Sequence, residues 1–297
     1  MLPFKPMLSA SLDGVDLSTL RYPLLASPKL DGVRCLIWEG VAYSRNAKPI
    51  RNRFVQDWAN QNGLHNLDGE LIVGSPVHDH TGEPLGRTQS GVMSFDGKPD
   101  FTFHLFDCVV GIGTSFEHRL GHVQGELWGV ERISCVNHTK VTSAQDLDWV
   151  ENHYLEAGYE GVMLRDPAGP YKHGRSTLRE GYLMKLKRFT DGEAVVVRLE
   201  EGHVNQNELE RDELGRAKRS KDREGLAPSG MVGTIIANDP KWGELRIAPG
   251  TMTHAERIAL LKSPSSIIGR AIHWRSFGYG VKDKPRFPRY YGIREDN

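Results

Sequence analysis

Short apolar runs bounded by Gly, Asp, Asn and Pro recur along the first part of the chain, a texture of strands and turns with helices set between them. Leu24, Leu25 and Ala26 lead into the charged segment SPKLDGVR, and Cys35, Leu36, Ile37 and Trp38 lead out of it, so the spacing predicts an opening hairpin of strand, tight turn and strand. VAYSRNAKPIRN predicts a further short strand and turn. NRFVQDWANQNG predicts a helix with Phe54, Val55 and Trp58 on one side and Gly63 beyond its end. LDGELIVG and FTFHLFDCVV predict strands, the second alternating Phe101, Phe103 and Leu105. Between them, 74–97 is rich in Gly, Pro, His and Asp and predicts a surface loop with one short helix. Two helices follow, SFEHRLGHVQGELWGV and SAQDLDWVENHYLEAG, the second with Ser143 as cap and Gly158 as stop. EGVMLRDP and GYLMKLKRF are the next strands. Helices and strands lack the regular alternation of a doubly wound sheet, which predicts an α+β fold with largely antiparallel sheets.

From about residue 190 the texture changes to short strands between Gly-rich turns: EAVVVRLE, MVGTIIAND, GELRIAPG and RAIHWRSFGYG, with one helix opened by a capping box from Thr253 to Glu256. Strands of this number and length with a single helix suit a small barrel such as the OB-fold, and the domains are placed at 1–189 and 190–297. One stretch does not suit a packed barrel. Residues 200–230, EEGHVNQNELERDELGRAKRSKDREGLAPSG, have almost no large apolar side chains and run from acidic to basic, which predicts a mobile segment. Read alone, it is either a disordered excursion or an arm whose Arg216, Lys218, Arg219, Lys221 and Arg223 close on a phosphate backbone.

Composition narrows the class only modestly. The 297 residues are 38% hydrophobic and 26% charged, as in a globular protein, and the 38 basic and 38 acidic side chains cancel. A nucleic-acid partner therefore needs local clusters of charge. Cys35, Cys108 and Cys135 are far apart and form no CxxC pair, which argues against a disulfide framework or structural zinc. With no signal-like or membrane-length apolar run, a cytoplasmic location is expected, or a nuclear one, at a nucleoid or viral replication site. His78-Asp79-His80 and the pair His118/His122 have ligand-like spacing, but a solvated pair is the reading adopted for both.

The chemistry resides in charges that interrupt apolar strands: Lys29, Asp31 and Arg34 in KLDGVR, Arg45 after Ser44, Glu70 in DGE, Asp107 beside Phe106, Glu160 in EGVMLR, and Lys185 and Lys187 in LMKLK. KLDGVR by itself reads equally well as a solvated β-turn with a snorkelling lysine. Taken in order, however, KLDGVR, HLFDCV, EGVM and LMKLK resemble the motifs of the covalent nucleotidyltransferase superfamily, which comprises ATP-dependent DNA ligases, RNA ligases and mRNA capping enzymes. KPRFPRYYGIRED, Lys284 to Asp296, is similar to the motif that ends the OB domain of DNA ligases. With SRNAKPIRN and GRSTLREGYLMKLKRF, the resemblance to minimal ATP-dependent DNA ligases covers nearly the whole chain.

The resemblance implies an antiparallel-sheet nucleotidyltransferase (adenylation) domain followed by an OB-fold β-barrel, and a reaction that seals 3′-OH/5′-phosphate nicks in duplex DNA. It makes Lys29 the nucleophile that forms a phosphoramide with AMP, with Lys185 and Lys187 at the α-phosphate and Asp31 in the turn that holds Lys29 and Arg34. A lysine attacks only as the neutral amine, a form that neighbouring cations and partial burial favour. Phe106 is placed on the base, Glu70 on the ribose, and Glu160 beside the lysine. Glu70 and Glu160 are the candidate Mg2+ (or Mn2+) ligands. Arg34 and Arg45 address the AMP phosphate and the nick 5′-phosphate, Arg175 is a third nick contact, and Arg286, Arg294 and Asp296 orient the pyrophosphate of ATP. The 200–230 insertion corresponds to a DNA latch, and a monomer is expected. An RNA ligase or a GTP-using capping enzyme shares the lysine chemistry, but the ending PRFPRYYGIR and the insertion argue against both. A non-catalytic OB-fold nucleic-acid-binding protein is the remaining alternative.

Overall fold

The computed structural model describes residues 4–77, 84–109, 111, 113–127, 129–187, 189–211, 217–219, 225–276, 285 and 288–294. The chain divides into two compact units, Met1–Arg188 and Phe189–Asn297. In chain order the first contains β1 (Ala10–Ser11), β2 (Leu24–Pro28), β3 (Val33–Trp38), β4 (Val41–Ser44), α1 (Arg53–Gln61), β5 (Leu67–Val73), α2 (Pro84–Met93), β6 (Phe101–Cys108), α3 (Phe116–Glu126), β7 (Ile133–Cys135), β8 (Thr139–Val141), α4 (Ala144–Glu156), β9 (Val162–Arg165) and β10 (Leu183–Leu186). Its strands form two five-stranded sheets, ordered β1-β10-β9-β2-β8 and β4-β3-β5-β6-β7. All pairings are antiparallel except β1 with β10 and β6 with β7.

The helices start where side-chain oxygens replace missing backbone acceptors. Asn52 accepts from the Val55 N–H (3.1 Å), Ser115 from His118 (3.3 Å) and Ser143 from Asp146 (3.1 Å). α1 buries Val55, Trp58 and Ala59 in a core with Val33, Ile37, Leu71, Phe101 and Phe103, while α4 buries Leu147 and Val150 in a second core with Ala26, Val162, Leu164 and Met184. Each such large side chain contributes roughly 1.5–3 kcal/mol, so each sheet is tied to its own helices by its own core.

The opening segment is not a hairpin. β2 pairs with β8 and β9, and β3 pairs with β4 and β5, so Lys29 to Gly32 carry the chain from one sheet to the other. The expected hairpin fails because both edges of each strand are taken by later segments, information that a local alternation pattern does not contain.

The second unit contains β11 (Thr190–Asn205), β12 (Leu209–Arg211), β13 (Ala217–Arg219), β14 (Leu226–Asp239), β15 (Gly243–Ile247), α5 (His254–Lys262), β16 (Ala271–Ser276) and β17 (Arg289–Ile293). Five of these strands are ordered β15-β14-β11-β16-β17, and a parallel bridge between Ala248 and Arg289 joins the first to the last. Its bonds, Ala248 N–H to Pro288 O and Tyr290 N–H to Ala248 O, are both 2.9 Å, and α5 lies between the third and fourth strands in sequence. This is the five-stranded OB arrangement that the strand spacing predicted. Its core contains Val232, Ile235, Ile247, Ile272 and Trp274, whose indole N–H reaches Asp239 at 2.9 Å.

The described parts of the 200–230 segment are mostly strand, while 212–216 and 220–224 lie outside the described residues. β11 runs on to Asn205 and pairs with β14 through Val204–Ala227 and Asn205–Leu226, and β12 pairs with β13. A β-ribbon draws its ladder from backbone groups, so a lack of apolar side chains does not forbid it. Among the described residues, no helix is long and apolar enough to cross a membrane.

Candidate active site

The crossover from β2 to β3 is fixed at both ends by backbone contacts. The Lys29 N–H donates to Gly161 O at 2.8 Å, and the Gly32 N–H donates to Glu70 Oε1 at 3.2 Å. Gly32 lies so close to β5 that a Cβ there would sit 2.3 Å from Leu71 O, and at Gly161, with φ +151°, a Cβ would sit 2.4 Å from Leu186 O. Two close backbone approaches that only glycine permits therefore set the position of Lys29. Its Nζ donates to Glu160 Oε2, while Nζ of Lys187 donates to Glu160 Oε1, so one carboxylate bridges two ammonium groups. Burial alone would raise the Glu160 carboxyl, but the charges and hydrogen bonds of Lys29 and Lys187 together hold it below its ordinary range.

Lys29 lines a cavity of about 320 Å3 between the two sheets of the first unit. Leu8, Ser9, Ser27, Pro28 and Leu30 contribute to the walls, with Val136, Met163 and Leu183. The polar and aromatic lining comprises Arg34, Arg45, Glu70, Phe106, Arg165, Arg175 and Lys185. Burial, followed by the charges of Lys29, Arg175 and Arg45, pushes Lys185 below its ordinary value despite Glu160, and burial pushes Glu70 up to about 7 against the pull of Arg34 and Lys29. The cavity thus combines an apolar slot, one half-buried aromatic ring, and a lining rich in cations. That combination suits a planar base with a polyanionic tail.

Arg34 and Arg165 of the lining also belong to a largely buried charge cluster. Arg34 on β3 grips Asp68 on β5 through Nε and Nη2, both at 2.6 Å, and the Tyr171 hydroxyl donates to the same carboxylate at 2.7 Å. Asp107 on β6 accepts from Arg119 Nε (2.8 Å) and from Arg165 Nη1 (2.6 Å), the latter reaching across from β9 in the other sheet. Burial opposes the charge on Arg34, but Asp68 more than offsets it and keeps its pKa above the ordinary arginine value.

The structure brings Lys29, Arg34, Glu70, Phe106 and Lys185 to one cavity, with Glu160 in contact with Lys29 and Lys187 bound to the other oxygen of Glu160. Arg45 and Arg175 are exposed and also line it, and Arg175 Nη1 donates to Ser9 O at 2.8 Å. Asp31 is half-buried in the crossover and does not line the cavity. Arg294 belongs to the second unit, where it pairs with Glu193 at 2.6 Å. Lys218 and Arg219 lie on β13. Arg216, Lys221, Arg223, Arg286 and Asp296, like His78, Asp79 and His80, lie outside the described residues. Sequence reasoning missed the roles of Asp68, Asp107, Arg119, Arg165 and Tyr171. For the two aspartates a signal was present, since an acid inside an apolar strand needs a buried partner. Arg119 and Tyr171 carried none.

Among the described residues no group of three or more His, Cys, Asp or Glu side chains could hold a metal ion. Both oxygens of Glu160 already take an ammonium group. The donor set therefore fits a magnesium ion that arrives on substrate phosphates and borrows one or two carboxylates, the usual mode for that ion, rather than a resident cage.

A lysine beside a cavity between the two sheets of the first unit, with an aromatic ring, carboxylates and cations around it, in a chain that continues into a five-stranded OB arrangement, is the layout that the resemblance to lysine-nucleophile nucleotidyltransferases led one to expect. The family model for the ATP dependent DNA ligase domain matches residues 6–187. The chain belongs to that family. A DNA ligase of Halobacterium salinarum (strain ATCC 29341 / DSM 671 / R1) is 26% identical over 306 residues, covering 90% of this chain and 51% of the relative. The crystal structure of Chlorella virus DNA ligase-adenylate is 26% identical with a TM-score of 0.55, covering 98% of this chain and 99% of that one. A structure from work on Lig E DNA ligases, 24% identical, has a TM-score of 0.68 and covers 97% and 98% of the two chains; it speaks for the fold alone. The chain spans between 41% and 51% of the length of the curated relatives it matches.

Proposed function

We propose that this protein is an ATP-dependent DNA ligase that seals nicks in duplex DNA through a lysyl-AMP intermediate. The observation that carries the reading is Lys29, held through Glu160 beside Lys187, at a cavity that also presents Phe106, Glu70 and Lys185. In the first step the neutral amine of Lys29 attacks the α-phosphorus of ATP, an N–P bond forms, and the bond to pyrophosphate breaks. Phe106 stacks on the base and Glu70 addresses the ribose. Lys185 and Lys187 neutralise charge that builds on the α-phosphate. A bound magnesium ion supplies further neutralisation of the phosphates.

In the second step the AMP passes to the 5′-phosphate of a nick, with Arg45 and Arg175 at the cavity mouth holding that phosphate. In the third, the adjacent 3′-hydroxyl attacks and AMP leaves. Arg286 and Arg294 orient the leaving pyrophosphate in the first step. The ribbon of β11, β14, β12 and β13 acts as a latch on duplex DNA, with Arg216, Lys218, Arg219, Lys221 and Arg223 on the backbone. The protein works inside the cell as a monomer without a membrane partner.

Incubation with α-labelled ATP or GTP, followed by a chase with nicked DNA or nicked RNA, tests the reading. Label from ATP and transfer to nicked DNA are expected, and Lys29→Ala should take up none. Labelling from GTP only, or labelling of the alanine variant, would sink it. Deleting residues 206–225 should weaken nick binding and flatten its salt dependence while sparing self-adenylylation.

A further inference from the structure

Phe106 occupies an irregular place in its strand. Pairing between β5 and β6 passes from Asp68–Asp107 to Gly69–Leu105, so Phe106 is the extra residue of a β-bulge with no opposite number. A bulge re-aims the side chain it carries, and here the ring is turned to line the cavity. The same irregularity sets two carboxylates, Asp68 and Asp107, directly across from each other, both 0% exposed. Like charges in that position destabilise a sheet.

Three guanidinium groups offset them, and two of the three also lie over the Phe106 ring: Arg34 with its Cζ 4.6 Å from the ring centroid and Arg165 at 5.5 Å. Each of these cations is tied to a different carboxylate, Arg34 to Asp68 and Arg165 to Asp107. Arg165 does this from the opposite sheet. A buried ionic cluster is a poor source of stability, since well-packed apolar residues usually do as well. Its arrangement around one bulged aromatic ring gives it another use.

We propose that Arg165 and Asp107 are positioning residues for nucleotide binding: the ion pair between the two sheets holds the bulged Phe106 ring at the depth where a base stacks on it. The inference rests on the reading of Phe106 as the base platform. Arg165 lines the cavity itself, so direct contact with the nucleotide is the rival to be separated.

The test is a mutant cycle on the rate of Lys29 self-adenylylation against ATP concentration, with thermal melts of every variant. Phe106→Ala should raise half-saturating ATP about fivefold or more, the lower range for loss of a base–aromatic stack. The charge-free pair Arg165→Met with Asp107→Asn should raise it about threefold to tenfold while the rate at saturation stays within about twofold. Combining that pair with Phe106→Ala should add nothing beyond about twofold, because the ring through which it acts is gone. Arg165→Lys keeps a cation over the ring and should recover most of the loss. Multiplying losses in the combined variant would overturn the positioning role alone, as would a charge-free pair indistinguishable from wild type or Arg165→Lys as impaired as that pair. Unchanged half-saturation in Phe106→Ala would overturn the base-platform reading as well. Should the charge-free pair fail to fold, the cycle of Arg165→Lys with Phe106→Ala makes the same comparison.

Discussion

Replacing Glu70 by Gln should make the protein more stable and a poorer enzyme, and the gain in stability should depend on pH. Glu70 reaches into the cavity from β5 with its carboxyl displaced from 4.5 to about 7, chiefly by burial. A displacement of that size corresponds to at most ~3 kcal/mol of unfavourable ionisation in the folded state. The folded-state pKa lies above the unfolded one, so between the two values the folded protein binds the proton more strongly. Stability therefore falls as pH rises through this window and levels off above about 7. Glutamine keeps an oxygen for the Gly32 N–H but has no charge to desolvate. Thermal or denaturant melts should show the variant ahead by roughly 2–3 kcal/mol near pH 8, the advantage shrinking to a few tenths near pH 4. At pH 8 this is a rise in melting temperature of roughly 5 °C or more for a domain of this size. Adenylylation should at the same time require more ATP. A stability difference that is the same at both pH values, or a glutamine variant that is the less stable at pH 8, would refute the reasoning.

Alanine at Gly32 or Gly161 forces a Cβ to within 2.3 or 2.4 Å of a carbonyl oxygen, so each should cost ~3 kcal/mol in a denaturant melt and largely abolish the lysyl adduct. A wild-type melt from either variant contradicts the close approach. Glu160→Gln should slow adenylylation at saturating ATP by about a hundredfold. Because Lys29 and Lys187 hold the Glu160 carboxyl low, its stabilising contribution is present above pH 4.5 and is lost as pH falls below that. Melts of wild type and Glu160→Gln should accordingly converge in acid, and a gap that persists there counts against the bridge. Thr253→Ala removes the capping box of α5 and should lower the stability of the second unit by ~1 kcal/mol without altering lysyl-adduct formation.

The legibility of this protein follows the range of the interactions concerned. Helices α1 and α4 were readable from an apolar stripe and a glycine stop within a few turns, α3 from its apolar spacing, and α5 from its capping box. The strands of the OB unit were readable for the same reason, since Gly-rich turns punctuate them. Lys29, Glu70, Glu160 and Lys185 could be singled out because each sets a charge in or beside an apolar strand, where it is expensive to bury unless it has work or a partner, whereas Phe106 was marked only by the resemblance. The same rule applies to Asp68 and Asp107, but nothing near them in sequence names Arg34, Arg119, Arg165 and Tyr171 as their partners.

By itself, then, the sequence determined the helices and most of the longer strands, the α+β character, the change to short strands near residue 190 and the chemical groups available. Tertiary structure alone decided what those elements face. It made the segment after β2 a crossover between sheets instead of a hairpin, since both edges of β2 are filled by segments more than a hundred residues away. It turned Phe106 out of its ladder at a bulge that no propensity signals, and it paired the ends of β11 and β14, and β12 with β13, through backbone groups within the charged 200–230 stretch. Local pattern reports which side chains avoid water. Which strand edge or charge each one meets depends on contacts whose partners lie far along the chain, and these exist only once the two sheets have closed on each other.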